Sequence, residues 1–131
     1  MDHKHGLNQG AETPHAQAQR EHDALERILG RGADGLQPRP WRPSPAPPAA
    51  VDLVQYALWR AEGLSPDDVL SALSLMPAAR AEIEGVETGL LFIARSSGLT
   101  WAQIAEAMGF RSPQACQQYV NRLNERQGRR S

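Results

Sequence analysis

From Ala49 onward, apolar residues recur at helical spacing in five stretches separated by glycine, serine and proline. Val51, Val54, Leu58 and Ala61 fall at i, i+3, i+7 and i+10, which predicts an amphipathic helix with Tyr56 and Trp59 at its edges and Gly63 at its end. Ser65-Pro66-Asp67-Asp68 supplies a cap, a proline for the first helical position and acids facing the positive end of the helix dipole. A second helix is therefore predicted from there, with Val69, Leu70 and Leu73 as its inner stripe. Pro77 opens a third, running to about Ser97, with Ile83, Val86, Leu90 and Ile93 expected inward. Leu91, Phe92 and Ala94 make the end of this helix apolar nearly all round. Such a segment is expected to be wholly buried, as the central helix of a domain or in part by a second copy.

Gly98 breaks that helix, and the stretch from Leu99 to Leu123 reads as two short helices joined by a tight turn. Thr100 and Gln103 have the spacing of a capping box, each side chain satisfying the other's orphan amide. Ile104, Ala105 and Met108 recur at helical spacing, and Gly109 can enter the left-handed conformation that stops a helix. Phe110 and Arg111 form the turn. Ser112 caps the last helix, over 112–126, with Pro113 at its first position. Cys116, Tyr119, Val120 and Leu123 are its predicted inner face, which leaves Gln114, Gln117, Gln118, Asn121 and Arg122 outside. Trp101 is expected to pack over the preceding corner.

This pattern, residues 99–123, resembles the helix-turn-helix of DNA-binding regulators. It is most similar to small helical DNA-binding proteins and to the promoter-reading helix-turn-helix of sigma factors. Ala105, where only a small side chain fits, and Gly109 four residues later stand at the spacing that family uses. The turn GFRSPQA is about one residue longer than the commonest form, and Cys116 occupies a slot usually held by Val or Ile.

Physical chemistry points the same way. A helix fits the major groove, where glutamine and asparagine can pair bidentately with adenine and arginine with guanine. Gln114, Gln117, Gln118 and Asn121 are the expected base readers, with no carboxylate before Glu125 to repel phosphate. Arg111, Arg122, Arg126, Arg129 and Arg130 are the expected phosphate contacts, which position a protein without specifying sequence. The plainer alternative is a solvated helix face that binds nothing, or binds protein.

The first 48 residues differ in character. Met1 to about Gln19 is polar and without hydrophobic period, so disorder is expected. His3 behind a free amino terminus, with His5 adjacent, could take copper or nickel in a square plane. Incidental histidines in a solvated tail are the plainer reading, and no metal or cofactor is expected. A short helix is possible over 20–29, with Leu25, Ile28 and Leu29 on one side. Pro38 to Pro48, PRPWRPSPAPP, cannot be helix or central strand and reads as a semi-rigid polyproline spacer. Trp41 between two arginines also suits a ligand for an aromatic-lined groove.

Charge sharpens the picture. The chain has 131 residues and a formal net charge of −1, which looks wrong for a nucleic-acid binder until it is divided. Residues 95–131 carry six arginines against two glutamates, a net of +4; residues 49–94 carry two arginines against seven carboxylates, a net of −5. Positive charge is thus concentrated on the last helices. The acids Glu82, Glu84 and Glu87 read as a solvated face. The single cysteine excludes an internal disulfide, and neither a signal peptide nor a membrane span is legible, so a cytoplasmic, nucleoid-associated location is expected. No Gly-rich phosphate loop, zinc spacing or nucleophile–base pair is present, and all four histidines lie within the first 22 residues. An enzyme is not expected.

The expectation is an all-α protein: a disordered Pro-rich arm over 1–48, then a five-helix bundle over 49–131 ending in a helix-turn-helix. It would bind double-stranded DNA as a transcriptional regulator or nucleoid-type protein, as a homodimer on two half-sites. The rival expectation is an adaptor that grips a sigma factor, RNA polymerase or another protein. An antitoxin is a third possibility.

Overall fold

The computed structural model describes residues 13–130, with the side chain of Arg130 excepted. The regular structure of these residues is helical, without a strand, and the loop before the second helix holds one isolated bridge between Arg39 and Arg42. The helices are α1 (Pro14–Leu29), α2 (Ala50–Trp59), α3 (Pro66–Ser74), α4 (Met76–Ser96), α5 (Trp101–Met108) and α6 (Pro113–Arg130), with short 3-10 turns at Ala33–Gly35 and Ala61–Gly63. The five helices expected after residue 49 are present, but they do not share one core. The chain divides into two compact units, one ending at Arg80 and the other beginning at Ala81.

The first unit draws on the segment expected to be an arm. Thr13 accepts the Ala16 amide, Pro14 fills the first helical position, and α1 runs for 16 residues rather than ten. Ala24 and Ile28 on α1 close over Ala33, Leu53, Tyr56 and Leu75. A helix that would be marginal alone is thus held by burial of one face. The expected disorder of residues 13–19 is corrected accordingly; the readings for residues 1–12, including His3 and His5, lie outside the described residues. The Pro-rich stretch is also not an extended spacer. It turns at Arg39–Arg42, where the Arg42 amide donates to the Arg39 carbonyl at 2.9 Å, and Arg39 is tied to Asp52 at 2.9 Å.

Asp68 is the one buried charged residue among the described residues of this unit. It closes a capping box with Ser65, and its carboxylate receives Arg27 at 2.7 Å and Arg31 at 3.0 Å. The sequence reading gave it only a role at the helix dipole. Tertiary structure makes it the point where α1 is fastened to α3, and the hydrogen bond from Arg27 holds its carboxyl well below the usual carboxylate range.

Three predicted inner faces are rotated. On α2 the buried side chains are Ala50, Leu53, Tyr56 and Ala57, while Leu58 is 78% exposed. On α3, Val69, Leu70 and Leu73 are exposed, and Val69 and Leu73 line an apolar groove of about 350 Å³ between α2 and α3. On α4, Ile83, Val86, Leu90 and Ile93 are all more than half exposed. The reason is shared. Each helix carries apolar residues over more than one arc, and tertiary packing took the arc that also offered polar partners. The wholly buried end expected for α4 is likewise corrected: Leu91 is buried, whereas Phe92 is 73% exposed.

Candidate functional site

The second unit contains the stretch singled out in the sequence. Gly98 ends α4 at φ 90°, and the Leu99 amide reaches back to the Ala94 carbonyl at 3.0 Å. Thr100 and Gln103 form the expected capping box at the start of α5. Gly109 ends α5 at φ 82°, and the Phe110 amide closes on the Ala105 carbonyl at 2.8 Å, the bond of a Schellman turn. Ser112 accepts the Ala115 amide at 3.0 Å, and Pro113 begins α6. Both turns thus rest on a glycine in the left-handed region, where a side chain would add strain.

The core beneath is small and apolar. Leu91 of α4, Ile104 and Ala105 of α5, and Cys116, Val120 and Leu123 of α6 bury one another, with Trp101, Phe110 and Tyr119 at the margin. Phe110 and Tyr119 pack with tilted rings 5.3 Å apart between centroids, and Arg95 lies 4.8 Å above the Trp101 ring, so Trp101 packs at the corner as expected. Cys116 is fully buried, and burial pushes its thiol pKa up, with Glu87 adding to the effect. It is a packing residue, not a reactive thiol.

Two polar links tie α6 to α4. The Tyr119 hydroxyl donates to Glu87 at 2.5 Å, and Arg126 meets Glu84 at 3.2 Å. The hydrogen bond to Glu87 raises the Tyr119 pKa. The acids read as a solvated face are therefore partly inward: Glu84 and Glu87 serve the interface with α6. Arg126, expected as a phosphate contact, is engaged with Glu84 and half-buried.

On the opposite side of α6, Gln114, Gln117, Gln118 and Asn121 follow i, i+3, i+4 and i+7 and are all exposed. Arg111, in the turn, and Arg122 and Arg129, on α6, are exposed as well. Arg130 is a described helical residue whose side chain is outside the description. The structure thus brings the four expected readers onto one open ridge. Among the described residues, no group of acidic, histidine or cysteine side chains could hold a metal ion, and no helix is long and apolar enough to cross a membrane. No protein-family model, curated protein or solved structure matches the chain.

Proposed function

We propose that α5 and α6 form a helix-turn-helix that binds double-stranded DNA, with α6 in the major groove, as a transcriptional regulator or nucleoid-associated protein. The observation that carries this reading is the open row Gln114, Gln117, Gln118 and Asn121. Amide side chains offer a donor and an acceptor together, the pair needed to grip an adenine edge. The row is held rigidly from behind, because Cys116, Val120 and Leu123 fix the other side of the helix to its core. Arg111, Arg122 and Arg129 flank it as phosphate contacts, with Arg130 extending the set; engagement of Arg126 with Glu84 takes it out of the first rank. Like-charge repulsion from phosphate is low here. Two acids of α4 in this unit are already occupied, and α6 has no carboxylate before Glu125.

The test is a binding selection of the purified chain on a random duplex library, followed by salt titration on the selected sequence. About four phosphate contacts predict that log K falls with log[salt] at a slope near −3.6. A flat response, or no enriched sequence, would overturn the reading.

A second reading is favoured by the apolar side of α4 left open to solvent: an adaptor that binds a sigma factor, polymerase or other protein. Capture of polymerase after nuclease treatment, with no shift of any duplex, would support it over DNA binding.

A further inference from the structure

The open side of α4 has a pattern of its own. Ile83, Val86, Leu90 and Ile93 follow i, i+3, i+7 and i+10, the spacing of a two-helix seam, and each is more than half exposed. We propose that a second copy of this chain covers this row, α4 lying antiparallel on its counterpart, so that two α6 ridges are presented together. The purpose rests on the DNA-binding reading; the seam itself does not.

Self-complementarity favours a second copy. An antiparallel pairing about residue 88 sets Ile83 against Ile93 of the other copy and Val86 against Leu90, so apolar meets apolar along the whole row. Charge sets the direction. Glu82 adjoins the row next to Ile83. A parallel pairing would put the two Glu82 side chains together. An antiparallel one separates them by twelve helical rises, about 18 Å, which exceeds the screening length of about 8 Å at physiological salt.

The area available sets the strength. Four side chains, each already partly covered, offer less than the about 800 Å² per partner of a standard stable interface. The pair is therefore weak in free solution and is reinforced when both copies are held on neighbouring half-sites, where the second binding event becomes intramolecular.

Sedimentation equilibrium of the full chain without DNA tests this. The protein is expected to pass from monomer to dimer between about 1 μM and 1 mM. Leu90→Glu, at a side chain 62% exposed in the single chain, should keep its helical circular dichroism and weaken association tenfold or more. A mixture of Ile83→Cys and Ile93→Cys chains should form a disulfide between copies that neither variant forms alone; the native Cys116 is buried away from the seam. A monomer at 1 mM, dimerisation of Leu90→Glu as strong as that of the parent, or self-linking of Ile83→Cys would overturn the proposal. A Leu90→Glu chain that binds one half-site with unchanged base preference but ignores half-site spacing supports both the seam and the reader. A dimer that shifts no duplex supports the seam and sinks the DNA-binding reading alone.

Discussion

The hydroxyl of Tyr119 on α6 donates to the carboxylate of Glu87 on α4 across 2.5 Å, at the margin of the apolar core that Leu91 and Val120 share. The candidate reading helix is therefore oriented by a charged partner on its brace as well as by packing. Replacement of Tyr119 by Phe is expected to destabilise the second unit by about 1.5–3 kcal/mol, the range for a hydrogen bond to a charged group. The pH dependence follows from the raised pKa of Tyr119. The contribution is whole below the unfolded tyrosine value of about 10 and is lost as pH rises through the higher folded value. The stabilities of parent and Tyr119→Phe in urea titrations should draw together as pH rises above about 10; a difference that stays constant to the alkaline limit of folding would remove the link.

Asp68 in the first unit behaves with the opposite sign. Its folded pKa is depressed, chiefly by Arg27, so its contribution is present above the unfolded aspartate value of about 3.9 and disappears as pH falls below it. Thermal melts from pH 6 to pH 2 should show this acid-side loss, and Asp68→Asn should flatten it while lowering Tm at neutral pH by at least ~5 °C. An unchanged neutral Tm would show that the fastening of α1 to α3 contributes nothing.

Gly32 is irreplaceable for two separate reasons. It sits at φ 113°, and a Cβ there would collide with the Tyr56 hydroxyl oxygen, the same hydroxyl that donates to the Arg31 carbonyl at 2.8 Å. Gly32→Ala should cost about 1–3 kcal/mol from backbone strain alone, with a further loss if Tyr56 is displaced. A chemical-denaturation midpoint equal to that of the parent would contradict this.

Arg122 and Arg126 are four residues apart yet should respond differently. Arg122→Ala, at an exposed side chain, should reduce the salt slope of DNA binding by about one contact and leave stability alone. Arg126→Ala breaks the pair with Glu84, which is partly exposed and worth no more than about 1 kcal/mol, and should leave the salt slope nearly unchanged. Equal slope changes would return Arg126 to the phosphate set.

Gln117→Ala is the direct test of base reading. Its side chain is exposed, so the melting temperature should not move, while discrimination among duplex sequences should fall by about 1–3 kcal/mol. Unchanged preference in a competition assay would take Gln117 off the ridge's reading positions.

The turn chemistry of the second unit was legible in the letters because it is local. Thr100 with Gln103, Gly109, and Ser112 with Pro113 act within a few residues of themselves, and each cap stands where the sequence put it. Cys116, Val120 and Leu123 were legible as an inner face because α6 has one apolar arc and the rest is polar. Helix α4 has several, so periodicity alone could not choose, and the row taken as inner is the one in solvent.

The sequence by itself determined the capped ends, at Ser65, Thr100, Gly109 and Ser112, and which residues of α6 stand together on a polar ridge, since caps and 3.6-residue periodicity are properties of a single segment. Tertiary structure decided which arc of each helix is buried, that α1 belongs to a core, and that Asp68, Glu84 and Glu87 are partners instead of surface charge. Those outcomes depend on groups 32 to 42 residues apart. Burial of an apolar arc rewards any neighbour, whereas a buried carboxylate requires a particular arginine or hydroxyl within reach, and that distance exists only once the chain has folded.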